Sequence, residues 1–132
     1  MNAEPELTRN QSLVLSTLER AEAPLGAYAI LEMLRGQGLK APLQVYRALE
    51  TLIGQGLVHK VESLNAFVAC AGGDRHLGET VAFAICEGCG QVTEFADSVV
   101  RDHALAWCRT RRFSPLRTTL EIRGRCASCA AG

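Results

Sequence analysis

Four of the six cysteines in this sequence occur as two pairs, each with two intervening residues. The first pair, Cys86 and Cys89, is followed by Gly90, which allows a sharp backbone turn behind the thiols. The second pair, Cys126 and Cys129, comes after a further 36 residues. Two such pairs supply the four thiolates that enclose one Zn²⁺ ion tetrahedrally in a structural site. We therefore predict a structural zinc ion held by these four cysteines.

Each pair taken alone has other interpretations. A single pair with this spacing is also typical of a redox-active dithiol, and unpaired cysteines are often ordinary buried side chains. The thiol-redox hypothesis assigns a reactive dithiol to Cys86 and Cys89 and leaves the second pair without a role. A shared metal ion explains both pairs, so we favour zinc.

The composition indicates a globular protein without a strong overall charge. The 132 residues are 48% hydrophobic, and fourteen Lys and Arg balance fourteen Asp and Glu. DNA binding would therefore depend on a few well-placed bases and on dimerisation, not on a global positive field. No apolar run is long enough to span a bilayer, and residues 1–11 lack the hydrophobic segment of a signal peptide. We expect a cytoplasmic protein with no membrane partner, whose cysteines bind metal or remain thiols.

The first half of the sequence has the periodicity of three short helices followed by a hairpin. The first helix is predicted over residues 8–22. The second carries the apolar positions from Ala27 to Leu34 and stops at Gly36 and Gly38, and the third has Pro42 in its first turn and is ended by Gly54 and Gly56. Residues 57–61 and 66–70 are predicted to pair as strands with a turn near residues 62–65, centred on a two-residue turn at either Ser63-Leu64 or Leu64-Asn65. Three helices and a two-stranded wing predict a winged helix-turn-helix domain over residues 1–71.

The outward face of the third helix carries side chains suited to reading DNA. Arg47 supplies a forked donor for guanine or phosphate, Tyr46 a hydroxyl that reaches phosphate, and Gln44 an amide that can read adenine. Lys60 on the predicted wing can contact the DNA backbone. A solvated amphipathic helix has a similar face, but the order of three helices and a wing favours DNA recognition.

The second half predicts a smaller domain over residues 81–132, after a flexible linker at residues 72–80. Its predicted elements are strands at about 81–86 and 91–95, a helix from Asp97 or Ser98 to about Arg112, and a strand at 118–123. Elements of this size bury little apolar surface alone, so we expect the domain to pair with a second copy. The predicted fold is α+β: a winged helix-turn-helix followed by a small α/β dimerisation domain stapled by the four-cysteine zinc.

A second set of candidate metal ligands remains: His59, Cys70, His76 and Glu94. Either predicted hairpin turn places His59 and Cys70 on one face of the wing, as diagonal or directly opposite neighbours. His76 in the linker can fold back toward them, and Glu94 closely follows the first cysteine pair. This mixture of thiolate, imidazole and carboxylate suits Zn²⁺ better than iron or manganese. Taken singly, each residue has a simpler interpretation, a surface histidine or a small buried thiol.

Three segments and the final cysteine pair resemble the ferric uptake regulator family, and within it the zinc uptake regulator branch. The segments are residues 27–35 (AYAILEMLR), 45–63 (VYRALETLIGQGLVHKVES) and 85–95 (ICEGCGQVTEF), with CASC at residues 126–129. The resemblance covers about residues 8–129. It implies a homodimeric, zinc-responsive bacterial repressor that binds palindromic operator DNA and controls zinc-acquisition genes.

The resemblance also implies roles for individual residues. Cys86, Cys89, Cys126 and Cys129 match structural zinc ligands, His59, Cys70 and Glu94 match sensor ligands, and Tyr46 and Arg47 match a DNA-contacting pair. Family members often carry the remaining sensor histidine about seven residues before the first paired cysteine, where this sequence has Glu79. We predict that His76 takes this role, with Glu79 as the alternative, which gives two zinc ions per chain. His103 is predicted to be a core or interface residue, with a further, weaker metal site as the alternative, and Cys108 is predicted to be a buried thiol.

Catalysis is not indicated by the sequence. It contains no paired carboxylates, nucleophile–base arrangement or cofactor loop of the kinds that enzymes use. Besides the redox hypothesis, a zinc-ribbon interaction module without DNA specificity is a further alternative, but it leaves Tyr46 and Arg47 unexplained. We therefore predict a regulator and not an enzyme.

Overall fold

The computed structural model describes residues 6–70, 81–96, 98–116 and 118–131. The chain forms two compact units, Met1–Arg75 and His76–Gly132. The predicted linker at residues 72–80 and the alternative helix cap Asp97 lie outside the described residues. Among the described helices, none has the length and apolar character that crossing a membrane requires.

The first unit begins with two helices whose ends follow from the local sequence. These are α1 (Arg9–Arg20) and α2 (Ala27–Leu34). The Gln11 N–H donates to the Thr8 hydroxyl (3.2 Å), and the Thr8 N–H donates to the Gln11 side chain (3.0 Å). These reciprocal bonds satisfy two N–H groups at the start of α1. After α2, a short 3-10 turn ends at Gly38, whose φ of +102° favours glycine.

The third helix, α3 (Pro42–Gly54), packs against α1 and α2 and completes a three-helix core. Pro42 occupies its first turn, where backbone N–H groups make no hydrogen bond within the helix, so proline's missing N–H costs nothing. Val45, Leu49 and Leu52 recur at helical spacing and are fully buried. The remaining buried core residues of this unit include Val14, Leu18, Ile30, Leu31, Leu34, Leu39, Ala48, Val58 and Phe67.

The predicted wing is present as a two-stranded antiparallel sheet. Its strands are β1 (Val58–Val61) and β2 (Ala66–Ala69). Residues Glu62–Leu64 form a 3-10 turn, and Asn65 is left-handed (φ 49°). The connection between the strands therefore has four residues, and our prediction of a two-residue turn was wrong. Asparagine tolerates the left-handed conformation that this longer connection requires. The strand register is nevertheless that of the first predicted turn, Ser63-Leu64.

The second unit contains a three-stranded sheet with a helical connection. Its elements are β3 (Val81–Cys86), β4 (Val92–Ala96), α4 (Ser98–Thr110), β5 (Thr119–Gly124) and α5 (Ala127–Ala131). The strand order is β4-β3-β5, with β3 antiparallel to β4 and parallel to β5. A parallel pair needs a crossover, and α4 lies in it. The central strand β3 carries the buried side chains of Ala82, Phe83, Ile85 and Cys86.

The apolar face of α4 is not covered by the rest of this unit. None of the described residues of α4 is buried, and Val99 and Trp107 are 75% and 52% exposed. The helix ends two residues before the predicted end at Arg112. Arg112 is left-handed (φ 52°), and the Phe113 N–H donates back to the Cys108 carbonyl (2.8 Å), a bond that terminates helices.

Candidate functional site

The four paired cysteines come together at one end of the sheet in the second unit. Cys86 ends β3, Cys89 lies in the following turn, Cys126 precedes α5 and Cys129 lies within it. Their four sulfur atoms all lie within 4.8 Å of one another, and the sulfurs of Cys89 and Cys126 are 3.9 Å apart. Zinc–sulfur bonds of about 2.3 Å in a tetrahedron place thiolates roughly 3.8 Å apart. The cluster therefore fits a structural zinc site.

The charges within the cluster also favour a bound cation. Backbone N–H groups of Cys126 (3.2 Å), Cys89 (3.4 Å) and Gly88 (3.3 Å) donate to the Cys86 sulfur and lower the pKa of this thiol to about 6. Hydrogen bonding to the Cys126 thiol and then to Cys86 raises the pKa of Cys129 to about 12. Without a cation, repulsion between like charges keeps the four neighbouring thiols from all ionising. A divalent cation at their centre stabilises all four thiolates.

Zinc binding to this cluster is expected to release fewer than four protons per ion at pH 7.5. The pKa of Cys86 lies near 6, so its thiol is already ionised at this pH, while Cys89 and Cys129, whose pKa values are raised, must lose their protons on binding. Zinc binds the thiolate form of cysteine. Zinc affinity and the stability that zinc contributes are therefore present at neutral pH and are lost as the pH falls.

Isothermal titration in two buffers of different ionisation enthalpy measures this proton count. A Cys70→Ser variant keeps the other predicted zinc site from contributing. Release of four protons at pH 7.5 would contradict the low pKa of Cys86.

The turn that carries the first pair is attached to β5 by short contacts. The Glu87 N–H donates to the Gly124 carbonyl (2.7 Å), and the Glu87 carboxylate forms an ion pair with the Arg123 guanidinium (2.6 Å). Gly90 has a φ of +81°, as the predicted sharp turn requires, and its N–H donates to the Cys86 carbonyl (2.9 Å). The ion pair is exposed and contributes little energy, but together these contacts orient the turn.

The wing of the first unit brings His59 and Cys70 together. His59 faces Val68 across the two strands, so Cys70 is its diagonal neighbour on the same face. The Cys70 N–H donates to the Leu57 carbonyl (2.9 Å), which continues the strand pairing past β2. A ring nitrogen of His59 and the Cys70 sulfur lie within 4.8 Å, and both residues are half-buried. Such a pair can supply two ligands to one metal ion.

The remaining predicted ligands lie in the second half of the chain. Glu94 lies on β4, where it faces Phe83 of β3, and its side chain is half-buried. His76 and its alternative Glu79 lie outside the described residues. The membership of all three in a zinc site stays a prediction.

The α3 surface presents two of the predicted DNA-contacting side chains to solvent. Tyr46 and Arg47 are exposed, and Lys60 on β1 is half-buried and paired with Glu62 (3.5 Å). The Gln44 side-chain oxygen instead accepts hydrogen bonds from the N–H groups of Lys40 (2.7 Å) and Ala41 (3.1 Å) and caps α3. A bidentate contact to adenine uses both the oxygen and the nitrogen of the amide, so it would require Gln44 to release this cap. Sequence reasoning missed this capping role, although glutamine at the third helical position is a known sign of it.

His103 and Cys108, which belong to neither predicted metal site, line one groove of the second unit. His103 is exposed and Cys108 is half-buried, so the thiol is less covered than predicted. They line a largely apolar groove of about 780 Å³ together with Trp107, Phe113 and Leu116.

The first unit has the winged-helix fold of DNA-binding proteins, and the second is a small sheet unit with a four-cysteine cluster. Together they indicate a DNA-binding protein that also binds metal. The chain belongs to the ferric uptake regulator family, whose model matches residues 3–123. It is similar to the zinc uptake regulation protein of Escherichia coli K12, with 36% identity over 124 residues that cover 93% of this chain and 72% of the relative.

Two solved structures are also similar over most of their length. The crystal structure of holo XcZur has 39% identity and a TM-score of 0.86, and covers 98% of this chain and 90% of that one. A zinc uptake regulator complexed with zinc and DNA has 35% identity and a TM-score of 0.87, with 96% and 84% covered. These likenesses confirm the predicted fold class and the resemblance to the zinc uptake regulator branch.

Proposed function

We propose that this protein is a zinc-responsive transcriptional repressor that binds palindromic operator DNA as a homodimer and controls zinc-uptake genes. The observation that carries the proposal is the His59–Cys70 pair, within 4.8 Å on the wing of a winged-helix unit. It places two zinc-type ligands on the unit that presents Tyr46 and Arg47 to solvent. The similarity to a zinc uptake regulator complexed with zinc and DNA supports the same function. A bacterial repressor binds DNA in the cytoplasm, so a cytoplasmic location is part of this proposal.

Two zinc ions per chain are proposed to have different roles. One is permanent and is held by the four-cysteine cluster, where it stabilises the second unit. The other is a sensor ion held by His59, Cys70, His76 and Glu94. Imidazole, thiolate and carboxylate together form a ligand set that suits zinc.

The sensor ion is proposed to control DNA binding by restricting how the two units of the chain are oriented. Its ligands come from both units, so zinc binding selects one orientation of the two DNA-reading heads in a dimer. A palindromic operator requires the heads to be set about one helical turn, or a multiple of it, apart. If zinc binds that orientation about 100-fold more tightly, the equilibrium shifts by about 2.7 kcal/mol per site.

Homodimer formation is proposed to cover the exposed apolar surface of the second unit. Its exposed large apolar side chains are Val99, Trp107, Phe113, Leu116 and Ile122. Several exposed large apolar side chains on so small a domain are typical of an interface. β5 is an outer strand among the described strands of the sheet, so its outer edge can also pair with a second copy.

The zinc content of the purified protein, followed before and after mild chelation, tests the proposed function. We expect two zinc ions per chain, one of which is removed easily together with operator binding, and added zinc should restore both. One chelation-resistant ion with unchanged DNA binding would leave a structural site and overturn the sensor role.

Arg47→Ala is expected to weaken operator binding while zinc content stays the same. A bidentate arginine contact to guanine is worth about 1–3 kcal/mol, and a dimer would lose two of them. Fluorescence anisotropy at fixed salt measures the change. Arg20→Ala is the control, because it removes the same charge from an exposed position in the last turn of α1. Zinc loss from the Arg47 variant would mean that this residue supports the metal sites instead.

A further inference from the structure

The residue before Cys89 has no room for a side chain. A Cβ atom built on Gly88 would lie 2.8 Å from the Cys129 sulfur and 3.0 Å from the Cys129 Cβ. Contacts below 3.0 Å are essentially never made by real Cβ atoms, so one of these groups would have to move. Gly88 is not among the left-handed glycines, so its backbone conformation is open to alanine. Space, and not backbone conformation, therefore explains glycine at this position.

We propose that Gly88 is a positioning residue of the structural zinc site, because its missing side chain admits the Cys129 sulfur to the metal. This inference rests on the proposed zinc role of the four-cysteine cluster. A thiol without metal can rotate away from an added methyl group. A thiolate bound to zinc cannot, since its sulfur is held about 2.3 Å from the ion. The steric cost of a side chain at residue 88 therefore falls mainly on the zinc-bound state.

The neighbouring contacts concentrate this cost on Cys129. The Cys126 N–H donates to the Cys86 sulfur (3.2 Å), and the Ala130 N–H donates to the Cys126 carbonyl (2.8 Å). Cys126 is thus tied to the first pair by its own backbone, while Cys129 reaches the cluster from the five-residue helix α5. Displacement of Cys129 leaves three thiolates and an open fourth position. Such a site binds zinc more weakly and leaves one cysteine free to react.

The experiment compares Gly88→Ala with Gly124→Ala in the full-length protein. At Gly124, no described heavy atom lies within 4 Å of an added Cβ, so the control adds the same methyl group without a clash. Competition with a zinc chelator should show affinity of the structural site about 10- to 100-fold lower in Gly88→Ala only. Alkylation of the zinc-loaded variant, followed by peptide mass mapping, should label Cys129 while Cys86, Cys89 and Cys126 stay protected.

The double variant Gly88→Ala with Cys129→Ser separates positioning from general destabilisation. If Gly88 acts through Cys129, the double variant loses no more zinc affinity than Cys129→Ser alone. Additive losses, uniform labelling of all four cysteines, or unchanged affinity in Gly88→Ala would each overturn the inference. Unchanged zinc content in Cys129→Ser itself would instead show that the proposed four-cysteine site is wrong, and the inference would fall with it.

Discussion

Cys86→Ser is expected to lose one zinc ion per chain and to unfold the second unit. Cys86 is buried at the end of the central strand, and its sulfur accepts three backbone N–H bonds, so a serine removes a zinc ligand and lengthens these bonds, because its oxygen lies closer to the Cβ atom. Structural zinc in small peptides contributes about 10–16 kcal/mol of apparent binding free energy. Whole domains are stable by only about 5–15 kcal/mol, so a unit of this size cannot absorb that loss.

Zinc content, sedimentation and hydrogen exchange measure the three expected effects. Amides of β3 and β5 should lose protection, and the proposed dimer should dissociate because its proposed interface lies in the unit that unfolds. Cys108→Ser is the matched control for zinc content and hydrogen exchange, since it removes a half-buried thiol of the same unit outside the cluster. A stable Cys86→Ser dimer with unchanged zinc content would refute the structural role of this cluster.

His59→Ala and Cys70→Ser are each expected to abolish zinc-dependent operator binding while the protein stays folded. The two side chains lie within 4.8 Å on the wing, and either change removes a ligand of the proposed sensor ion. The expected loss in operator affinity at saturating zinc is roughly 100-fold per sensor site, which is the preference that the proposed mechanism requires, and the proposed dimer has two such sites. Each variant should keep its single structural zinc ion.

Operator binding titrated with zinc at constant ionic strength tests this prediction. Salt must be held constant because phosphate contacts make DNA affinity strongly salt-dependent. His103→Ala and Cys108→Ser supply controls of the same residue types in the second unit. Zinc-dependent binding that persists in both wing variants would show that the sensor ion is held elsewhere or that zinc does not control orientation.

Local spacing in the sequence was sufficient to predict most secondary structure and one metal site. Val45, Leu49 and Leu52 recur at helical spacing, and their burial in α3 follows because one helix face must leave water. The spacing of Cys86 with Cys89 and of Cys126 with Cys129 predicted the cluster, because a two-residue gap lets both thiols of a pair reach one ion. These are short-range properties that residue types alone determine.

Other features depended on contacts between distant residues. The sequence left two wing registers open, and the structure selects the one that makes His59 and Cys70 diagonal neighbours. The choice depends on pairing between two strands and on a left-handed Asn65, which no periodicity reveals.

The surroundings of the metal-binding turn likewise came only from the tertiary structure. Glycine between Cys86 and Cys89 looks unremarkable in the sequence, and only the approach of Cys129 from the far end of the chain shows that a side chain would not fit. The sequence by itself thus determined the kinds of elements and the chemistry of the four-cysteine site, because both follow from spacing along the chain. Tertiary structure decided register, capping and close approach, because steric exclusion acts between residues that the sequence keeps far apart.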